Sequence, residues 1–275
     1  MTFSGSPIQV GLAEWLLSEL DRPADSQGLQ NGTSAKQEYI VSTSADDRVR
    51  VFHVKHAQTV SSFQEIATDI SATTRARVFT YNAARAVVVR GSEAQLDFSD
   101  FLLDHLDKPE VVSSGQGRVT TSPDYRLPGS SDLARVFYLP STRTILSFQE
   151  LSTLVRAIAD IRFQFTYNAP RAIVIRGTEQ QLGLAEWLFT ELSDSAADRG
   201  AATVDYGVAG SDNVTRVFYL KRIDDLKILE SVASKTKFAS GSNRVFVYSV
   251  ASALVIRGTS SQIAIADRVI HGQDQ

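Results

Sequence analysis

The sequence predicts an α+β fold of small two-layer modules in the order β-α-β-β-α, three in tandem behind an N-terminal half copy. Three observations carry this prediction. The strand-like run Arg135–Leu139 (RVFYL) returns unchanged at Arg216–Leu220 and nearly so at Arg50–Val54 (RVFHV). A second run, FTYNA, occurs at Phe79–Ala83 and Phe165–Ala169, with FVYSV at Phe246–Val250. Each of these leads into an apolar stretch that closes on Arg-Gly, at Gly91, Gly177 and Gly258, followed by a helical pattern. Recurrence at a fixed period is the mark of a repeat architecture.

The middle copy shows the reasoning for each element. Arg135–Leu139 is rich in strand formers. After a connection at Pro140–Thr144, the residues Phe148, Leu151, Leu154, Val155, Ile158 and Ile161 recur at three- and four-residue steps, which predicts an amphipathic helix. Phe163, Phe165 and Tyr167 alternate, as in a half-buried strand. Asn168, Ala169 and Pro170 supply a turn. Ala172–Ile175 is continuously apolar and suits a central strand. Thr178 is placed to cap a second helix, with Glu179 in its first turn and Leu182, Ala185, Leu188, Phe189 and Leu192 on its apolar face. Two helices on one face of a three-stranded sheet make a two-layer sandwich.

The predicted boundaries are module 1 at 48–107, module 2 at 135–194 and module 3 at 216–271. The stretches 22–47, 108–134 and 195–215 read as linkers rich in Ser, Gly, Asp and Ala, although Tyr39–Val41, Tyr125 and Tyr206 could add a short edge strand. Residues 1–21 read as the last strand and second helix of a copy without its first half. Gly11–Leu16 (GLAEWL) is identical to Gly183–Leu188, which puts Gly5 over Gly177 and Phe3 over Ile175. A lone strand and helix cannot bury their apolar faces. The half copy is therefore expected to be a truncated copy, a cap on the next module, or an element exchanged with another chain.

The run RVFYL, the segment YNAPRAIVIRGTEQQL at Tyr167–Leu182 and the helix after it resemble the N-terminal ring-forming modules of bacterial secretins. The resemblance covers the three modules and the half copy. It implies periplasmic modules that pack side by side, dock proteins, and carry no catalytic residue and no cofactor. The sequence departs from a full secretin in having no glycine-rich, alternating barrel segment after the modules. The same element order is also KH-like, and a nucleic-acid-binding KH protein is the alternative reading. That reading needs a GxxG loop between two helices, and the one candidate, Gly207–Gly210, precedes a strand. A small-molecule site between copies is a third, weaker alternative.

Composition narrows the function further. With 43% apolar and 21% charged residues in 275, the chain is ordinary for a globular protein. The absence of cysteine excludes disulfides, thiolate metal sites and cysteine nucleophiles. A net charge of −3 lacks the basic balance of a nucleic-acid binder, so no nucleic-acid partner is expected. No transmembrane segment is expected. Met1–Gly11 lacks the basic start and apolar core of a secretory leader, so the compartment rests on the resemblance alone. No nucleophile elbow, Walker loop, HExxH or dinucleotide fingerprint occurs, and the expectation is a non-enzyme without metal or cofactor. The pair His53 and His56 lies at a strand end without helical ligand spacing and reads as solvated or packing residues. Two sequons, at Asn31 and Asn213, fall in the predicted linkers and read as accidental.

The candidate interface residues are arginines. Arg85 and Arg171 sit on the hairpins, and Arg90, Arg176 and Arg257 follow the central strands. Basic hairpins of one module are expected to face acidic helix surfaces of the next, giving heterologous contacts to protein partners or to further copies of this chain.

Overall fold

A computed structural model describes residues 2, 4–21, 38–41, 47–109, 117–193, 203–207, 211–220, 223 and 225–273. By contact density it divides into two units. The first comprises Met1–Val111, Ser122–Val136 and Tyr167–Val174; the second comprises Val112–Thr121, Phe137–Thr166 and Ile175–Gln275.

The chain begins with α1 (Pro7–Leu20). Module 1 then runs β1 (Glu38–Ile40), β2 (Arg48–His53), α2 (Val60–Thr74), β3 (Arg77–Tyr81), β4 (Ala86–Gly91) and α3 (Glu93–Leu106). Module 2 follows as β5 (Thr120–Thr121), β6 (Tyr125–Arg126), β7 (Leu133–Tyr138), α4 (Ile145–Ile158), β8 (Phe163–Tyr167), β9 (Ala172–Gly177) and α5 (Glu179–Ser193). Module 3 is β10 (Val204–Gly207), β11 (Asn213–Tyr219), α6 (Leu226–Ser240), β12 (Arg244–Tyr248), β13 (Ala253–Thr259) and α7 (Ser260–His271). The fold is α+β, with three antiparallel sheets separated by helices. Their strand orders are β1-β2-β4-β3, β5-β7-β9-β8 and β10-β11-β13-β12, with β6 also on β7.

Each sheet gains strands from a stretch that reads as a linker. Glu38, Asp124 and Asp205 each precede the edge tyrosine, and each meets the arginine of the R-V-F run beside it. Arg50 reaches Glu38 at 2.8 Å, Arg135 reaches Asp124 at 2.6 Å, and Arg216 reaches Asp205 at 2.5 Å. Burial pushes Glu38 up, but the hydrogen bonds from Arg50 and Arg48 outweigh it and hold the carboxyl below its usual range. The arginine therefore serves as a side-chain clamp on the edge strand.

A second recurring device explains the Arg-Gly-Ser/Thr sequence. Ser6, Ser92 and Thr259 cap α1, α3 and α7 in reciprocal boxes with Gln9, Gln95 and Gln262. Thr178 and Gln181 exchange the same two bonds at the start of α5. The glutamine folds back over the preceding glycine. A Cβ on Gly177 would stand 2.7 Å from Gln181 Oε1, and the matching distances at Gly91 and Gly258 are 2.5 and 2.7 Å. Glycine is required there by the cap. Gly177→Ala is expected to cost about 1 kcal/mol, one cap's worth, and to cost almost nothing once Gln181 is already alanine. Urea unfolding of the two single variants and the double variant tests this coupling.

Of residues 1–21, Pro7–Leu20 form the helix α1, and among the described residues ahead of it there is none in a strand. No helix among the described residues is long and apolar enough to cross a membrane.

Candidate interaction face

Side-chain alternation sets up the face that matters. In module 3, Val245 and Val247 pack against the core cluster that includes Leu229 and Ile263 from the module's own helices. Arg244, Phe246 and Tyr248 therefore stand on the opposite, outer face of the sheet. In the second unit that outer face is covered by α4 of module 2, which packs on β12 and β13.

The joint is made by polar groups around a buried tyrosine. Glu150 on α4 accepts hydrogen bonds from the Ser249 main-chain N–H at 2.6 Å and from its hydroxyl at 2.8 Å. Asp160, just past the end of α4, pairs with Arg244 at 2.9 Å. Arg257 donates to the Ile158 carbonyl at 2.8 Å, at the negative end of the helix. Tyr248 lies among these groups at 2% exposure, and its phenol is pushed up to about 12 by burial and by the Glu150 carboxylate.

The same contact recurs one module earlier, inside the first unit. Glu65 occupies the Glu150 position of α2 (SFQE in both helices) and accepts from Asn168 N–H at 3.1 Å and from its side-chain amide at 3.2 Å. Asn168 and Ser249 are equivalent turn residues. Tyr167, beside Asn168, is 1% exposed. The first helix of one module thus holds the hairpin turn of the next through a glutamate, twice.

An aromatic contact accompanies it three times. Trp15 meets Tyr39 at 5.5 Å, Phe101 meets Tyr125 at 5.0 Å and Trp187 meets Tyr206 at 5.3 Å, all with the rings inclined at 39°. In each case a second helix places its ring on the edge-strand tyrosine of the module that follows. Gly11 and Gly183 make room: an added Cβ would lie 2.7 and 3.0 Å from the Tyr39 and Tyr206 hydroxyls. The repeated GLAEWL is accordingly a joint motif, and α1 sits where the second helix of a preceding module would sit. At the far end the pattern stops. Arg268 stands at the Trp187 position and Ser231 at the Glu150 position.

The five candidate arginines go to different places. Arg257 makes the joint contact just described. Arg90 is bound by Asp47, at 2.6 Å, in its own module. Arg176 lies over the Phe163 ring, 5.0 Å from its centroid. Arg171 donates to the Asn168 carbonyl of its own turn at 3.1 Å. Arg85 and Arg171 share with Ser252 a left-handed backbone, with φ of 46°, 53° and 45°, closing the hairpin turn. Their recurrence thus marks a backbone position as well as a charge. Arg85→Gly is expected to raise stability by about 0.5–1 kcal/mol, since glycine relieves the left-handed strain and loses part of that gain to unfolded-state entropy. Thermal unfolding reads this directly.

The residues that sequence reasoning missed are Glu65, Glu150, Asp160 and Arg244. The shared SFQE was a usable signal for the first two. Asp160 is not matched in the other copies and Arg244 only by Arg77, so the repeat did not single them out.

The histidines are engaged locally. His53 Nδ1 lies 3.4 Å from the Ala84 carbonyl, and the His56 N–H donates to Asp107 at 2.7 Å. Among the described residues no three His, Asp or Glu side chains gather as metal ligands. Of the GxxG candidate, Gly207 ends β10 and the other three residues lie outside the described ones, as does Asn31. Asn213 opens β11. Two depressions of about 330 Å³ each lie on module 1. One lies between α2 and β3, and the other is lined by Asp47, Arg75, Arg77 and Arg90.

Three solved structures are similar to this chain. ExeD of Aeromonas hydrophila matches at 15% identity with a TM-score of 0.19, over 82% of this chain and 40% of that one. The AspS–GspD pilotin–secretin complex of ETEC matches at 14% and 0.20, over 82% and 37%. XcpQN012 matches at 15% and 0.24, over 83% and 99%. The chain thus spans two fifths or less of the first two structures. No protein-family model and no curated protein matches the sequence.

Proposed function

We propose that this chain is a non-catalytic scaffold, an array of secretin-N-domain-like modules that works by docking proteins. The observation that carries the proposal is the joint made twice, Glu65 on Asn168 and Glu150 on Ser249. A surface that recognises a neighbouring module by a fixed set of polar anchors around a buried tyrosine is protein-recognition chemistry. Heterologous joints of this kind build open or ring-like arrays. Of the arginines Arg85, Arg90, Arg171, Arg176 and Arg257, the last supports this reading by its bond to the Ile158 carbonyl of the preceding module, while Arg90, Arg171 and Arg176 are engaged within their own modules.

The test has two parts. Light scattering across a concentration series is expected to give one defined mass, either a monomer carrying docking modules or a discrete oligomer; a continuous spread of aggregates counts against the scaffold. Passage over immobilised RNA at low salt is expected to show no retention. Retention that falls steeply with salt would instead favour the KH-like reading.

A further inference from the structure

We infer that the outer sheet face of module 1 is an unfilled joint that takes an acidic amphipathic helix of the α4 type from a partner protein. This rests on the scaffold reading and goes beyond it by stating what docks, and where.

The equivalent tyrosines state the case. Tyr167 and Tyr248 are 1% and 2% exposed, whereas Tyr81 at the same position is 47% exposed and Phe79 beside it 61%. The face is half occupied. α1 supplies the second-helix contact through Trp15 on Tyr39, but no described residue supplies a first helix over Phe79, Tyr81 and the exposed Asn82 turn. The face has the groups that the joint between modules 2 and 3 uses. Asn82 stands at the Ser249 position and Arg77 at that of Arg244, while Arg90, at that of Arg257, is held by Asp47.

Those correspondences define the occupant. Asn82 calls for a glutamate, as at Glu150. Arg77 calls for an acidic residue just past the helix C-terminus, as at Asp160, and the helix carbonyl end would complete the basic rim. The chain's other first helices do not fit this description. α2 carries Arg75 at the Asp160 position, and α6 carries Gly241 there and Ser231 in place of the glutamate. A second copy presenting its module 3 would also bring α7, packed on α6, into the place α1 already holds. The fitting partner therefore presents a helix with a glutamate at the Glu150 position and an acidic residue just past its C-terminus.

The probe is a capped peptide of residues 143–162 of this chain. A lactam bridge across positions 152 and 156, on the side of the helix away from Glu150, holds it helical. It is titrated into the full chain while amide hydrogen exchange is followed. The expected result is saturable protection confined to residues 77–83, weakened about ten-fold or more by Glu150→Ala in the peptide and by Tyr81→Ala or Arg77→Glu in the protein. No protection at millimolar helical peptide, or protection indifferent to those three changes, overturns the proposal. So does concentration-dependent self-association of the chain alone that Tyr81→Ala abolishes, since the occupant would then be a second copy. Tyr81→Ala leaves the internal joints intact, so a failure here is distinguishable from a failure of the scaffold reading, which the internal tyrosines test.

Discussion

Tyr248→Ala and Tyr167→Ala are each expected to cost about 3–4 kcal/mol, while Tyr81→Ala costs under about 1 kcal/mol, although the three tyrosines are the same residue of one repeat. The large value is the usual loss on emptying a buried aromatic site that cannot collapse. Tyr248 lies between α4 and its own sheet, Tyr167 is buried beside the turn that Glu65 of α2 holds, and a rigid sheet relaxes little. Tyr81 has water on its outer side, so its truncation creates no cavity. In an array whose stability is a sum of module and neighbour contributions, the difference measures the neighbour contribution. Denaturant unfolding with hydrogen exchange resolved by module is the measurement. Equal costs at the three positions would mean that the tyrosines are held by their own modules and that the joints contribute nothing.

Asp69→Leu is expected to stabilise the protein by several kcal/mol at pH 8 and to flatten its pH dependence. Asp69 is 5% exposed on α2, one turn after Glu65, and its Oδ2 has no hydrogen-bond partner among the described residues. Burial, with Glu65 adding its own negative charge, pushes the carboxyl up to about 8. The folded pKa lies above the unfolded one, so the folded chain holds the proton more tightly. This contribution to stability is complete below about pH 4 and is lost as pH rises toward 8, by up to about 1.4 kcal/mol per unit. The next repeat shows that leucine fits, since Leu154 occupies the equivalent position at 2% exposure. Urea midpoints at pH 5, 7 and 9 are expected to fall for the natural chain and stay level for the variant. A parallel fall in both would assign the pH dependence to other groups. The clamped carboxylates act in the opposite sense. Asp47, held low by its hydrogen bonds with Arg90, contributes stability that disappears as pH falls through its depressed pKa.

Much of the array was legible because each module repeats the same local solutions. The unbroken apolar runs Val87–Val89, Ile173–Ile175 and Leu254–Ile256, the helix periodicities and the Arg-Gly-Ser/Thr caps depend on near neighbours in the chain, and the period made them conspicuous. The edge strands were harder to read. β1, β6 and β10 are short and polar, and they hold their place through a clamp from Arg50, Arg135 or Arg216 that lies a loop away in sequence. The candidate arginines were chosen for charge and recurrence. Recurrence also marks positions with a backbone requirement, which is why Arg85 and Arg171 share a left-handed turn with Ser252.

By itself the sequence determined the module order, the recurrence of the module and the core positions, because these follow from local periodicity and self-similarity. Only the tertiary structure decided which face joins one module to the next. The glutamate on α4 and the turn that binds it are ninety-nine residues apart in the chain, and no local pattern specifies a partner at that distance. Packing also sorted identical residues into different roles. Tyr81, Tyr167 and Tyr248 read alike in sequence, and only packing on the outer face buries two of them and leaves the third half exposed.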